Sequence, residues 1–201
     1  IEMITTAGGN VKSANTDGIV ILCKRHNVEA IRDTVRLFEL NTIFTMEYTE
    51  YRALYSINVN NYLAVKPDGK VKGKGQFASN SLAKNPTNAI CVQAAIAYLT
   101  KQTPIKETIL HCQDIRQFIT LRTVQGGATK DGVNIGKSIR WYHSTSTHSA
   151  IHYAKNNNKV PKSDGAMPLL NYPDSLPPDI DYQFYIQEAK NIIKSCGVNH
   201  A

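Results

Sequence analysis

The chain has 201 residues, 42% hydrophobic and 19% charged, enough for one large domain or two small ones around a packed core. Lysine and arginine total 23 against 16 acidic residues, a net charge of +7 that favours polyanionic partners, nucleic acid first and anionic membrane surface second. No apolar run approaches the roughly 18 residues of a membrane span, so no spanning helix is expected, and nucleic acid, not a membrane, is the partner carried forward.

The opening residues, Ile1 to Thr6, have no basic start and no signal-peptide core. The sequence reads as beginning inside an element, so a fragment of a longer protein is expected. Cys23, Cys91, Cys112 and Cys196 show no C-x-x-C spacing and read as free intracellular thiols, not a disulfide frame or a zinc knuckle. Residues 10–23 predict a β-hairpin with Thr16-Asp17-Gly18 at its tip. The continuous apolar run Ile19-Val20-Ile21-Leu22-Cys23 suits a strand buried on both faces. Asn27 is placed to cap a helix carrying Val28, Ile31, Val35 and Phe38 at helical spacing. Residues 46–57, rich in Tyr and Thr, predict a strand.

Pro67-Asp68-Gly69 separates two strand-like runs and predicts a three-residue hairpin loop with Gly69 in the left-handed conformation. That turn would pair Lys66 with Lys70, Ala64 with Lys72, and Tyr62 with Lys74. Beyond residue 84 the pattern turns helical. Asn85-Pro86 reads as cap and first turn of a buried helix over residues 87–100, and Thr103-Pro104 opens a second helix running to about Cys112. The glycine-rich residues 125–136 read as a loop, and residues 137–144 and 151–154 as short strands. Prolines 161, 168, 173, 177 and 178 crowd one irregular stretch. A closing helix is capped by Asp179 or Asp181, carries Tyr182, Tyr185, Ile186, Ala189, Ile193 and Cys196 on one face, and ends at Gly197.

Several clusters carry candidate chemistry. A carboxylate at a tight turn between two strands is held rigidly and faces outward, as a metal ligand in two-metal nucleotidyl transfer must be; Asp17 is equally an ordinary turn residue. Lys70, Lys72 and Lys74 share one face of a strand, with Gly73 and Gly75 leaving room for close backbone approach, and Tyr62 falls on the same face. Such a ribbon can track phosphates; it is also what a solvated, lysine-protected edge strand looks like. Gly136-Lys137-Ser138 mimics the end of a P-loop, but Asp131 stands where the leading glycine belongs and a strand follows where a helix is required. His143, His148 and His152 read as surface histidines, and Ser144 and Ser146 beside them lack a nucleophile-elbow pattern. Arg140 beside Trp141 and Tyr142 is compatible with nucleic-acid contact and with packing.

Asn15-Thr16-Asp17 resembles the Asp-Thr-Asp turn of family B DNA polymerases, whose last aspartate is a catalytic-metal ligand on a palm β-hairpin. Asn15 departs from the first aspartate and Gly18 from the usual serine, so Asp17 is the one ligand carried over. Asn60-Asn61-Tyr62 resembles the basic-Tyr motif that holds the primer end, with Asn60 and Asn61 in place of lysines. Lys72-Gly73-Lys74-Gly75 resembles the Lys-Gly element at the start of the thumb. The order of these motifs is similar to that of a divergent phage-encoded polymerase group, most clearly over residues 10–77.

The resemblance implies an α+β fold: an antiparallel palm β-hairpin, a further β-hairpin and a mainly helical thumb. Residues 1–66 would be the C-terminal part of the palm, and 67–201 the thumb and C-terminal region. It implies a DNA-directed DNA polymerase in the host cytoplasm, with Mg²⁺ as cofactor and Asp17 as catalytic metal ligand. Tyr62, Asn61, Lys70, Lys72, Lys74 and Arg140 would contact primer-template DNA, and deoxynucleoside triphosphates would be substrates. The second carboxylate, the fingers helix and an exonuclease domain would belong to an N-terminal polymerase region outside this chain, so the chain alone is expected to be inactive. The alternative is a non-catalytic nucleic-acid-binding module that is indifferent to Asp17. A metal-dependent phosphodiesterase would need further carboxylates near Asp17, with Glu47 and Glu50 as the candidates.

Overall fold

Tight turns and amphipathic segments divide the chain into antiparallel hairpins and helices, an α+β fold. The structure, a computed structural model, describes residues 1–78 and 86–198. Contacts gather them into two compact units, Ile1–Gly75 and Gln76–Ala201. Both strands of the Pro67 hairpin pair within the first unit.

The first unit opens with a short helix α1 (Glu2–Thr6) and an antiparallel ribbon of β1 (Gly9–Ala14) and β2 (Ile19–Cys23). Gly9 lets α1 lie close: a Cβ there would stand 2.7 Å from Ile4 Cγ2 and 2.9 Å from Ile21 Cγ2. Among the described residues the ribbon has only these two strands, so the expectation that β2 is buried on both faces is corrected. Ile21 shares the face that Ile4 covers, while Leu22 on the opposite face is 60% exposed.

Helix α2 (Val28–Leu40) follows a 3₁₀ turn at Arg25–Asn27. Asn27 sits at its N-cap without capping it. Its side-chain amide instead donates to the Gly8 carbonyl at 3.2 Å, tying the helix start to the start of β1. Of the predicted apolar face Ile31 alone is fully buried, and Phe38, 43% exposed, stacks on Phe44.

The strand expected over 46–57 is shorter, β3 (Ala53–Asn58), and residues 44–51 have no regular structure. Its partner β4 (Asn61–Val65) ends before the Pro67 turn, leaving residues 46–51 nothing to pair with. A third strand, β5 (Val71–Lys74), completes the order β3-β4-β5. Leu63, Ala64 and Val65 of the central strand are the most deeply buried residues of this unit.

In the second unit α3 (Ala89–Lys101) buries Ile90, Cys91, Ala94, Ala95 and Leu99, as its apolar composition predicts. It starts later than expected, and Asn85 lies outside the described residues. Pro86 is not in the first turn: its carbonyl accepts from Leu121 N at 2.8 Å, and Asn88 binds Ile119 O and the Thr120 hydroxyl. Helix α4 (Ile105–Leu110) follows Pro104 as predicted.

The loop expected at 125–136 is instead the centre of a long hairpin, β6 (Thr120–Lys130) and β7 (Val133–His143). Asp131 at φ 50° and Gly132 at φ 80° form its two-residue turn, and Gly126 and Gly127, both left-handed, lie where the register shifts. Glycine marks a bulge and a turn here, not a loop. Gly136-Lys137-Ser138 therefore lies inside a strand. β8 (Ile151–Tyr153) and β9 (Ala166–Pro168) complete the sheet β8-β6-β7-β9 around Val124, Ala128, Ile139, Trp141, Ile151, Val160 and Ala166.

Helix α5 (Tyr182–Ser195) is capped by Asp181, whose carboxylate accepts from Phe184 N at 3.1 Å. Asp179 has a different role, accepting from the Tyr142 hydroxyl at 2.8 Å and the Ser144 hydroxyl at 2.6 Å. Tyr185 on the buried face of α5 donates to Phe118 O and accepts from the His143 amide.

His143 is not a surface residue. Only 2% exposed, it stacks on Phe184 with centroids 3.5 Å apart, and its Nδ1 meets the Asp164 carbonyl at 3.0 Å. A carbonyl only accepts, so Nδ1 carries the proton, and Nε2 is left without a partner. His148 is exposed and His152 half-buried. Burial pushes His143 down to about 4. The unfolded chain then binds the extra proton at acid pH. Its contribution to stability is complete above the ordinary histidine value of about 6.5 and is lost as pH falls toward 4. Thermal unfolding from pH 7.5 down to pH 4 should show a loss equivalent to about 3 kcal/mol that His143→Phe lacks; parallel profiles for the two proteins would contradict it.

Candidate functional site

The tip of the β1–β2 ribbon spans residues 15–18, and one side chain closes it. The Asn15 carboxamide oxygen accepts from both Asp17 N and Gly18 N at 2.9 Å, and Asn15 N donates to Gly18 O at 3.0 Å. Asn15 thus spends its oxygen on the turn, which leaves Asp17 as the outward carboxylate of the motif. Asp17 is exposed, with one oxygen accepting from the Thr16 hydroxyl at 3.1 Å. The β1 register shifts between Val11 and Ser13, a bulge of the kind that adds local twist.

The lysine hairpin has the register expected from its turn. Tyr62 faces Lys74, Leu63 faces Gly73, Ala64 faces Lys72 and Val65 faces Val71. Lys66 N donates to Lys70 O, Gly69 N donates to Lys66 O, and Gly69 has φ 83°. Directly opposed residues share a face, so Tyr62, Lys72 and Lys74 lie on one side of the sheet with Ala64 between them. Lys72 and Lys74 are exposed and Tyr62 half-buried. Lys70 sits just before β5, its ammonium 3.1 Å from Asp68. Hydrogen bonds from the Lys70 amide, and then from its ammonium, hold the Asp68 carboxyl below the usual aspartate range.

Two expectations about this hairpin change. Gly75, at φ 64°, does not open space for a ligand: a Cβ there would collide with the Asn60 carbonyl and the Asn61 side chain. The approach it permits is to the chain's own β3–β4 turn. Asn60 and Asn61, which stand where lysines were expected, belong to that turn. Asn58 Oδ1 accepts from Asn60 N and from the Asn61 side-chain amide, both at 3.0 Å.

Tyr62, Asn61, Lys72 and Lys74 are therefore brought together on one three-stranded sheet, with Lys70 at the turn just before β5. Asp17 stands on a separate ribbon of the same unit. Arg140 belongs to the second unit, where it donates to Leu170 O at 2.6 Å and lies 4.9 Å over the Tyr172 ring. Beside it Trp141 and Tyr142 are buried at 1% and 4% exposure, so these aromatics serve packing. Arg52 and Lys66 escaped sequence reasoning. Arg52 N donates to Val65 O at 2.7 Å, which sets both residues at the turn end of the lysine sheet. The signal was available in Lys66, already in register with Lys70, but Arg52 needed the β3 pairing.

Among the described residues no group of three or more His, Cys, Asp or Glu side chains could hold a metal ion. Mg²⁺ demands octahedral oxygen coordination, so the described residues do not fit a complete site. Asp17 fits as donor of one carboxylate. Glu50 lies 3.6 Å from the Arg32 guanidinium. No described helix is long and apolar enough to cross a membrane. Compared with protein-family models and with characterised proteins, the chain matches none.

The turn closure generates a specific expectation. Asn15→Ala removes the acceptor for two amides and should cost about 1 kcal/mol in urea unfolding, while Asn15→Asp, which keeps an acceptor, should cost less than half as much. Equal losses would show that the Asn15 oxygen does not hold the tip.

Proposed function

We propose that this chain supplies part of the palm and the thumb of a family B-like DNA polymerase of phage type. Asp17 contributes one metal-binding carboxylate, and the β3–β5 sheet holds the primer-template backbone. The observation that carries this reading is the pairing of Tyr62 directly beside Lys74, with Lys72 and Lys70 following on the same hairpin, in a unit whose other ribbon ends in the closed Asp17 tip. A tyrosine next to a row of cations offers a flat ring for sugar or base and point charges for phosphates, without reading sequence. Mg²⁺, when bound, supplies Lewis-acid charge for nucleotidyl transfer. This chain's part is to keep the Asp17 carboxylate outward on a short turn closed by three hydrogen bonds. The remaining carboxylates come from polymerase residues outside this chain, so the chain alone does not extend primers.

A second reading, a non-catalytic nucleic-acid-binding module, is favoured because the described residues include no group of three or more His, Cys, Asp or Glu side chains that could hold a metal ion. The natural full-length protein separates the two in primer extension with Mg²⁺. Asp17→Ala should lower extension about 100-fold or more while duplex affinity stays within about twofold. Extension that survives the substitution makes Asp17 a turn residue, and a full-length protein that binds duplex but never extends a primer supports the binding module.

A further inference from the structure

The lysine sheet carries more positive charge than its β5 row, and that charge has a local competitor. At the turn end three cationic positions from three segments come together. Lys66 is bonded through its backbone to Lys70, and Arg52 is bonded to Val65 on the far side of the same central strand. Neighbouring strands lie about 4.8 Å apart, so these backbones span roughly two strand spacings. Arg52 is exposed, Lys66 half-buried and Lys70 80% exposed. Asp68 puts a carboxylate beside them, 3.1 Å from the Lys70 ammonium and half exposed itself. The four charges sum to +2 where a competing phosphate would meet +3.

Resting on the nucleic-acid reading above, we propose that Arg52, Lys66 and Lys70 form a second phosphate-contact point at the turn end of the lysine sheet, and that Asp68 competes with the nucleic-acid backbone for Lys70 and so limits affinity. An exposed ion pair contributes little to folding, and its acid can be exchanged for a phosphate oxygen without disturbing the hairpin. Asp68 has a separate structural role: its Oδ1 accepts from Lys70 N at 2.9 Å, which helps close the turn. Asparagine keeps that acceptor and removes the charge. Asp68→Asn therefore isolates the electrostatic competition from the fold, and its expected effect has the opposite sign to that of the lysine substitutions on this sheet.

The test uses the 201-residue chain, a fluorescein-labelled DNA duplex, and anisotropy titrations between 50 and 200 mM salt. Circular dichroism verifies each variant. The slope of log affinity against log salt counts phosphate contacts at about 0.9 each on duplex DNA. Arg52→Ala/Lys66→Ala should flatten the slope by about one to two, as Lys72→Ala/Lys74→Ala does, while Lys137→Ala in the second unit leaves it unchanged. Asp68→Asn should tighten binding roughly two- to fivefold. If Lys72→Ala/Lys74→Ala flattens the slope but Arg52→Ala/Lys66→Ala and Asp68→Asn change nothing, the turn-end contact is wrong and the lysine-strand reading stands. Should Arg52→Ala/Lys66→Ala unfold, Asp68→Asn decides by itself: unchanged or weaker binding overturns the proposal. No variant altering the slope, or no duplex binding at all, overturns the nucleic-acid reading with it. Tighter retention on phosphatidylserine vesicles than on duplex, lost in the same variants, would assign the patch to a membrane surface and overturn it too.

Discussion

A single side-chain oxygen accepting backbone amides across a tight turn is the constraint on which the candidate site depends. Asn15 closes the Asp17 tip, Asn58 closes the β3–β4 turn, and Asp68 helps close the lysine hairpin. Each bond is exposed and modest in energy. Its structural effect is larger than its energy, because side chains alternate along a strand and a slip of one residue would move every one of them to the opposite face. With the turns fixed, Tyr62 must stand beside Lys74 and Ala64 beside Lys72. The three turns thus set which charges share a surface.

This matters most in the first unit because its core is small. Ile4, Ile31, Leu63, Ala64 and Val65 are its buried apolar residues, and Leu37, Phe38, Leu40, Ile43 and Phe44 are exposed. Packing holds the second unit more firmly, around Trp141 and the α3–α5 helices, with Tyr185 linking Phe118 to His143. The proposed functional positions lie on the thinly packed unit. There, local hydrogen bonds and glycine geometry provide rigidity that a deep core provides elsewhere. Gly75 illustrates this: its left-handed backbone lets the end of β5 lie against Asn60 and Asn61, locking one hairpin to the next.

What could be read from sequence followed how local the determining interaction is. The Pro67-Asp68-Gly69 turn fixed a register that the structure reproduces pair by pair, because turn chemistry and strand periodicity act within a few residues. The closing helix and its apolar face were legible for the same reason. The Gly126-Gly127 bulge was not. Glycine between strands signals a loop unless the partner strand is known, and the partner of β6 is reached only through the Asp131-Gly132 turn. His143 was misplaced because its cover comes from Phe184 and Asp164, remote in sequence. Asn27 failed as a cap and Pro86 as a first-turn residue through tertiary partners, Gly8 and Leu121. In the candidate site Asp17 and the lysine row were visible, whereas Arg52 required knowing which strand lies on the far side of β4.

The account turns on whether Asp17 ligates a catalytic metal. Crystals of the natural full-length protein with primer-template, an incoming nucleotide and Mn²⁺ would answer this through the anomalous signal of the ion. The account predicts an Asp17 carboxylate oxygen in the ion's coordination sphere, at about 2.2 Å, with the Asn15 oxygen still turned inward to its two amides. An ion held at the nucleotide by other carboxylates, with Asp17 left in solvent, would contradict it.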